Sequence, residues 1–139
     1  MTTSTGTTRF RPHERIKDPA AFRRAFDRRR WESDAILTLY GVENGLDHPR
    51  LGLSVSRKKI KTAAARNRFK RLVREAFRLS KAELPAGLDL VVVPRNPAPR
   101  FADVRRSLPA LARRLERRLR GKGRGPQPQP QPRPGTPSP

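Results

Sequence analysis

The most informative segment of the chain is Arg66-Asn67-Arg68-Phe69-Lys70-Arg71-Leu72-Val73-Arg74-Glu75-Ala76-Phe77-Arg78. Its apolar residues recur at intervals of three and four positions, namely Phe69, Leu72, Val73, Ala76 and Phe77. This spacing places them on one face of an α-helix, because such a helix has 3.6 residues per turn. The pattern predicts a helix over about residues 62–80 that buries this face against the rest of the domain.

The opposite face of this predicted helix is strongly basic. Between Arg57 and Arg78 there are ten basic residues and one acid, Glu75. Solvated helix faces usually interleave Glu with Lys or Arg, so the lack of acids favours a polyanionic partner over an ordinary wet surface. The whole chain carries 33 Lys and Arg against 12 Asp and Glu, a formal net charge of +21. Nucleic acid is therefore the expected partner.

Strand patterns flank the helix on both sides. Residues 88–93 are an almost unbroken apolar run that Pro94 ends, which predicts a buried strand. Before the helix, residues 35–42 and 51–56 are short apolar or alternating runs, separated by a polar loop that contains Asn44-Gly45. These two runs predict an antiparallel hairpin. A strand, a helix and a strand in succession predict a crossover unit.

Two further helices complete the expected order of elements. Asp18-Pro19 is a favourable helix start, with Asp as N-cap and Pro in the first turn, and predicts a helix to about residue 29. Apolar residues also recur at helical spacing up to residue 120, and Pro109 among them predicts either a kink or a late start near Ser107. The expected fold is α+β, a two-layer α/β sandwich with the order α-β-β-α-β-α.

Composition divides the chain into three expected parts. Residues 1–8 predict a disordered N-terminus, residues 9–120 a single nucleic-acid-binding domain, and residues 121–139, with seven prolines, a disordered tail of polyproline character. No apolar run approaches the roughly 20 residues that a membrane-spanning helix needs, and the start lacks a signal-peptide core. A soluble, cytoplasmic protein is expected.

The sequence indicates neither catalytic nor metal-binding side chains. The chain has no Cys, and its two histidines, His13 and His48, are far apart in the sequence, so a zinc site is not expected. The acidic residues form no cluster of the kind that holds two catalytic metal ions. The carboxylate of Asp89 is expected to lie on the exposed face of its strand. We therefore expect no catalytic group in this chain and no cofactor bound by the protein alone.

The helix and its surroundings resemble the protein component of bacterial ribonuclease P. The resemblance spans roughly residues 10–119 and rests on the Arg66-Asn67-Arg68 signature, an aromatic pair four residues apart near the start, and the runs 49–56 and 90–93. It implies a ribosomal-protein-like fold with a left-handed βαβ crossover, where the general rule predicts a right-handed one. The loop before the signature differs from the family pattern, because it lacks a glycine and has one extra residue.

The resemblance implies an accessory subunit of an endoribonuclease that removes the 5′ leader of precursor tRNA. The implied partners are precursor tRNA and the catalytic RNA, which holds the Mg²⁺ of the reaction. The implied contacts with the RNA subunit are Arg66, Asn67, Arg68 and Arg71. The implied contacts with the leader are Phe22, Phe26, Tyr40, Lys70 and Arg74. Such a set suits a single strand, because bases stack on aromatic rings while cations follow the phosphates.

Other interpretations stay open on the residues themselves. Phe22 and Phe26 at this spacing are also typical of two core residues, and Tyr40 could be a boundary residue of its strand. A ribosomal or other structural RNA-binding protein would carry the same charge and the same tail, but it does not require aromatic residues in a cleft. The RNA that co-purifies with the protein would separate these possibilities.

Overall fold

The computed structural model describes residues 12–120, and every structural statement below refers to that part of the chain. The predicted disordered segments, residues 1–8 and 121–139, lie outside the described residues. The main elements follow in the order α1 (Pro19–Asp27), β1 (Trp31–Ser33), β2 (Leu37–Glu43), β3 (Arg50–Leu53), α2 (Ala63–Ser80), β4 (Leu88–Pro94) and α3 (Phe101–Arg120). The predicted α+β class and the order α-β-β-α-β-α are confirmed, with the short strand β1 as an addition.

The four strands form one sheet in the order β1-β2-β4-β3. β2 runs antiparallel to β4, and β3 runs parallel to it. The predicted hairpin of residues 35–42 with residues 51–56 is wrong, because β4 lies between those two strands. All seven residues of β4 are buried, as a strand with neighbours on both edges and helices on both faces allows. β3, α2 and β4 form the predicted crossover unit, whose handedness stays a prediction.

α2 and α3 pack on one face of the sheet and form the larger core. The side chain of Thr62 caps α2 by accepting a hydrogen bond from the Ala65 N–H at 3.1 Å. Four of the five apolar residues that predicted this helix are buried, and Leu72 is half-buried. This core contains the following buried residues from the sheet and from the two helices: Leu37, Leu39, Leu88, Leu90, Val92, Phe69, Val73, Phe77, Val104, Leu108, Leu111 and Leu115.

The last helix begins at Phe101, so the predicted late start near Ser107 is wrong. Pro109 lies inside the helix and is buried. Its ring nitrogen cannot donate to the Arg105 carbonyl one turn earlier, which removes one hydrogen bond from the helix. Burial of the proline ring and of the neighbouring leucines opposes that loss, since a fully buried Leu contributes about 1.5–3 kcal/mol.

α1 lies on the other face of the sheet over a smaller apolar cluster. Its N-cap is Asp18, whose carboxylate accepts a hydrogen bond from the Ala20 N–H at 3.1 Å, as predicted. The cluster contains Ile16, Ala21, Ala25, Phe26, Trp31, Tyr40, Val42, Val91 and Val93. None of the helices within residues 12–120 is long and apolar enough to span a bilayer.

Asp89 does not face solvent as expected but is fully buried. Arg50 donates from Nε to Oδ1 at 2.8 Å and from Nη2 to Oδ2 at 2.7 Å, and Asn44 donates to Oδ1 at 2.9 Å. The strand register explains the pair, because Arg50 lies beside Asp89 on the parallel neighbour. A buried carboxylate requires such partners, and they come from positions far away in the chain.

Candidate RNA-binding surfaces

A groove of about 370 Å³ lies between α1, β3 and the middle of α2. It combines one aromatic ring, an apolar strand surface and four cationic side chains. Nine residues line it: Arg15, Ile16, Lys17, Phe22, Leu51, Gly52, Leu53, Lys70 and Arg74. The structure thus brings three of the five predicted leader-binding residues, Phe22, Lys70 and Arg74, into one site.

Gly52 allows the ring of Phe22 to lie directly on β3. A methyl group at Gly52 would come within 2.8 Å of the Cε1 and Cζ atoms of Phe22. Phe22 is only half-buried, so part of its ring packs on the strand while the rest stays accessible from the groove. Nothing in the local sequence could predict this contact, because the two residues belong to separate elements.

The cations of the groove lie close to one another. Lys70 and Arg74 are one helical turn apart on α2 and reach the same site. The pKa of Arg74 is lowered, mainly because burial disfavours its charged form and also because the positive charge of Arg15 is near. A guanidinium group remains charged at neutral pH despite such a shift. Cations held together in a partly buried place favour the binding of an anion such as a phosphate.

The other two predicted leader contacts are buried under α1 and do not line the groove. Phe26 and Tyr40 are each 4% exposed and belong to the apolar cluster under α1. Their rings pack edge to face with a centroid distance of 4.7 Å. Direct stacking of a base on either ring would require α1 to move away from the sheet. Their contact with RNA stays a prediction, and their role in the described conformation is to support α1.

The exposed part of the signature helix forms a second basic surface. Asn67, Arg68 and Arg71 are exposed on α2, and within the described part of the chain their side chains have no hydrogen-bond or ion-pair partner. Lys58, Lys59 and Lys61 are exposed on the loop before the helix. These side chains are free to contact phosphates.

Arg66, the first residue of the signature, has a structural contact that the sequence did not indicate. Its Nη1 donates hydrogen bonds to the carbonyl oxygens of Ile60 and Lys61, each at 3.0 Å. Ile60 is buried, and its N–H donates to the Ser56 carbonyl at 3.0 Å. The loop that departs from the family pattern is therefore fixed at both ends. One apolar residue in an otherwise basic loop, Ile60, was the available sign of such an anchor.

The two histidines are close together despite their separation in the sequence. The rings of His13 and His48 meet edge to face at 4.9 Å. The ring nitrogens of His48 lie 3.0 Å from the Asp47 carboxylate and 3.2 Å from the His13 carbonyl oxygen. Within residues 12–120 no three His, Asp or Glu side chains come together in a way that could hold a metal ion.

Comparisons with known proteins agree on one family. The family model described as Ribonuclease P matches residues 10–116. A ribonuclease P protein component from Methylococcus capsulatus is 50% identical over 84 residues, which cover 60% of this chain and 65% of that relative, slightly under two thirds of its length. One from Photobacterium profundum is 40% identical over 109 residues, covering 77% of this chain and 92% of the relative.

Solved structures of the same family share this fold. The RNase P protein from Thermotoga maritima superposes with a TM-score of 0.66 at 34% sequence identity, covering 73% of this chain and 96% of that one. The RNase P protein from Staphylococcus aureus superposes with a TM-score of 0.64 at 31% identity, covering 74% of this chain and 95% of that one.

Proposed function

Because this chain belongs to the ribonuclease P protein family, we propose that its groove holds the single-stranded 5′ leader of precursor tRNA while its signature helix contacts the catalytic RNA. The protein is a subunit of ribonuclease P and acts in tRNA processing, in partnership with RNA. The groove supports the proposal that this chain binds the leader.

The observation that supports leader binding is the half-buried ring of Phe22 beside Lys70 and Arg74. A single strand presents bases and phosphates at the same time, and this groove offers one surface for each. Leu51 and Leu53 also line the groove, but Leu51 is buried in the larger core, so the ring of Phe22 is the stacking surface. A duplex would not need the ring, because its bases are already stacked and paired.

The signature helix suits the structured catalytic RNA instead. Asn67, Arg68 and Arg71 are exposed, and no aromatic side chain is exposed beside them on α2. Contacts of this kind read the path of the phosphates and not the bases. Arg66 acts on the same surface by fixing the loop that carries Lys58, Lys59 and Lys61.

The chemistry of leader removal belongs in this proposal to the RNA subunit and the Mg²⁺ that it holds. The chain itself supplies binding groups, binds no cofactor alone and works in the cytoplasm with its RNA. Its contribution is affinity for substrates that carry a leader, because only those fill the groove.

The test compares precursor tRNA with mature tRNA, using the assembled ribonucleoprotein. Phe22→Ala should weaken binding of the precursor about 5- to 100-fold and leave the mature tRNA almost unaffected, since stacking contributes about 1–3 kcal/mol per base. Phe22→Leu is the matched control, because it keeps an apolar side chain on Gly52 but offers no ring. It should reproduce most of the loss without a loss of stability. Equal losses for both tRNAs from a folded variant would show that the groove does not hold the leader.

A further inference from the structure

Acidic residues neutralise most of the arginines on α3. Glu32 lies 3.3 Å from Arg114 and 2.6 Å from Arg118, and Glu83 lies 3.4 Å from Arg105 and 3.6 Å from Arg113. Arg106 pairs with Asp103 at 2.8 Å. The ion pairs of Glu32 and Glu83 thus connect α3 to β1 and to the segment after α2.

α1 has the opposite arrangement at its C-terminal end. Five arginines occur within eight residues, with Asp27 as the one acid among them. Their side chains form no hydrogen bond or ion pair with any residue in the described range 12–120. Four are exposed and Arg30 is half-buried. We call Arg23, Arg24, Arg28, Arg29 and Arg30 the α1 arginine cluster.

Arg29 occupies a backbone conformation that normally selects glycine. Its φ is 54°, and the other positive φ angles among the described residues belong to Gly45 and Gly87. The left-handed conformation directly after a helix favours Gly, because a Cβ atom is strained there. Cations near a helix C-terminus are favourable, but Arg28 and Arg30 already supply that charge. Arginine at this position therefore costs stability, and such strain is typical of residues kept for binding.

Arg28 and Arg30 also line a recess of about 340 Å³ together with Gly41, Val42, Glu43 and Leu119. No aromatic ring lines this recess, in contrast to the groove at Phe22. Its two guanidinium groups outnumber its one carboxylate, Glu43, so the recess carries a net positive charge that attracts phosphate but offers no ring on which a base could stack.

We propose that the α1 arginine cluster binds phosphates of leader nucleotides that extend beyond the groove. The inference rests on the proposed function, since it continues the same RNA strand along α1. α1 rises about 1.5 Å per residue, so its last residue, Asp27, lies only about 8 Å along the axis from Phe22, and Arg28 and Arg29 follow directly. This distance is close to the Debye length of about 8 Å at physiological salt, so a strand leaving the groove toward this end of α1 would come within the field of the cluster.

The experiment measures binding of the assembled ribonucleoprotein to precursor tRNAs with a short and a long leader, and to mature tRNA. Arg29→Gly should lower the affinity for the long leader roughly three- to tenfold and reduce the slope of log affinity against log salt by about 0.7, the value for one lost phosphate contact on a single strand. The short leader and mature tRNA should bind as before. The melting temperature of the Arg29→Gly protein should stay the same or rise, because glycine relieves the strain at this position.

Two matched variants make the result specific. Arg29→Lys keeps the charge and should keep most of the long-leader affinity. Arg106→Gln removes one charge that Asp103 already neutralises, and it should change no RNA affinity. An Arg29→Gly protein that binds the long leader as tightly as the wild type would overturn the proposal, as would an equal loss for every substrate or a loss only in assembly with the catalytic RNA. A loss for the long leader with no effect of Phe22→Leu would support the cluster and reject the groove.

Discussion

α1 and α3 lie on opposite faces of one sheet, are both rich in arginine, and use it in different ways. On α3 the guanidinium groups pair with Glu32 and Glu83, which connects the helix to β1 and to the segment after α2, and with Asp103 on α3 itself. The arginines of the α1 arginine cluster have no such partner among the described residues. The same residue type stabilises the fold on one side of the sheet and remains available to RNA on the other.

This difference shows how a domain in a chain of net charge +21 can fold at all. Like charges oppose compaction, so the acids must lie where cations pack against other elements. The surfaces where unpaired cations outnumber acids are then the surfaces that an external polyanion neutralises. The groove, the exposed side of α2 and the end of α1 all belong to this second kind.

The largest expected effect is a loss of stability from a substitution in the core under α2. Phe77 is fully buried between α2 and the sheet. Phe77→Ala should lower the free energy of unfolding by about 3–5 kcal/mol, since it removes a buried ring and leaves a cavity. Denaturant unfolding in the presence of sulfate measures this loss. Protein that remains folded should bind precursor and mature tRNA with the wild-type preference.

Phe22→Ala is the counterpart on the other face. Phe22 is half-buried, so its removal should cost much less stability than the removal of Phe77, while the preference for precursor tRNA falls. If both variants lost stability equally and neither changed the preference, the distinction between a structural face and a binding face would be wrong.

Local sequence signals predicted the helices better than the sheet. The Asp18 cap placed α1, and the apolar spacing placed α2, within about a turn of their observed bounds. Strands β2, β3 and β4 were also found, but β1 and the pairing of the strands were not. A hairpin was expected because two strands adjacent in the chain usually pair, yet β4 competes for the same edge and separates them.

The candidate site was predicted in part. Phe22, Lys70 and Arg74 meet in the groove, as the resemblance implied. The spacing of Phe22 and Phe26 could not show which ring would be buried, because both point toward the sheet from one side of α1. The contacts of Arg66 with the loop, of Arg50 with Asp89 and of Gly52 with Phe22 were missed. The last two join separate strands and helices, and nothing in a local pattern indicates them.

Smaller effects are expected when an arginine is replaced, and they should differ between an unpaired and an ion-paired arginine. Arg68 is exposed without a partner in the described chain, whereas Arg114 lies 3.3 Å from Glu32. Arg68→Gln should weaken binding of the catalytic RNA several-fold and reduce the salt slope by about 0.9, with no change in melting temperature. Arg114→Gln should leave RNA binding unchanged and lower stability by less than about 1 kcal/mol, because a half-exposed ion pair contributes little.

Arg66→Gln should lower both the affinity for the catalytic RNA and the stability of the loop before α2. It removes a cation and also the hydrogen bonds to the Ile60 and Lys61 carbonyl oxygens, so the amide protons of the loop should exchange faster. Unchanged amide exchange in the loop would show that Arg66 does not hold it in place.

The smallest effect concerns pH and belongs to the α3 side. The Asp34 carboxylate accepts hydrogen bonds from the N–H groups of Ile36 and Leu37 at 2.8 and 3.0 Å and from the Ser107 hydroxyl at 2.7 Å. Burial raises the pKa of Asp34, but the hydrogen bonds from Leu37, Ser107 and Ile36 and the positive charge of Arg114 together outweigh it and leave the pKa below its ordinary value. The turn between β1 and β2 is thereby connected to α3 through a charged group.

The sign of the pH effect follows from this lowered pKa. The unfolded chain binds the proton at a higher pH than the folded chain does, so the contribution to stability is complete above the ordinary Asp pKa of about 3.9 and is lost as the pH falls through the lower, folded value. Asp34→Asn keeps the shape of the side chain but cannot titrate. The variant should be slightly less stable than the wild type at pH 7, and this difference should vanish in acid. Urea unfolding between neutral and acid pH measures it, with Ser107→Ala expected to lie between the two. Parallel pH profiles for the wild type and Asp34→Asn would mean that this carboxylate does not couple α3 to the sheet.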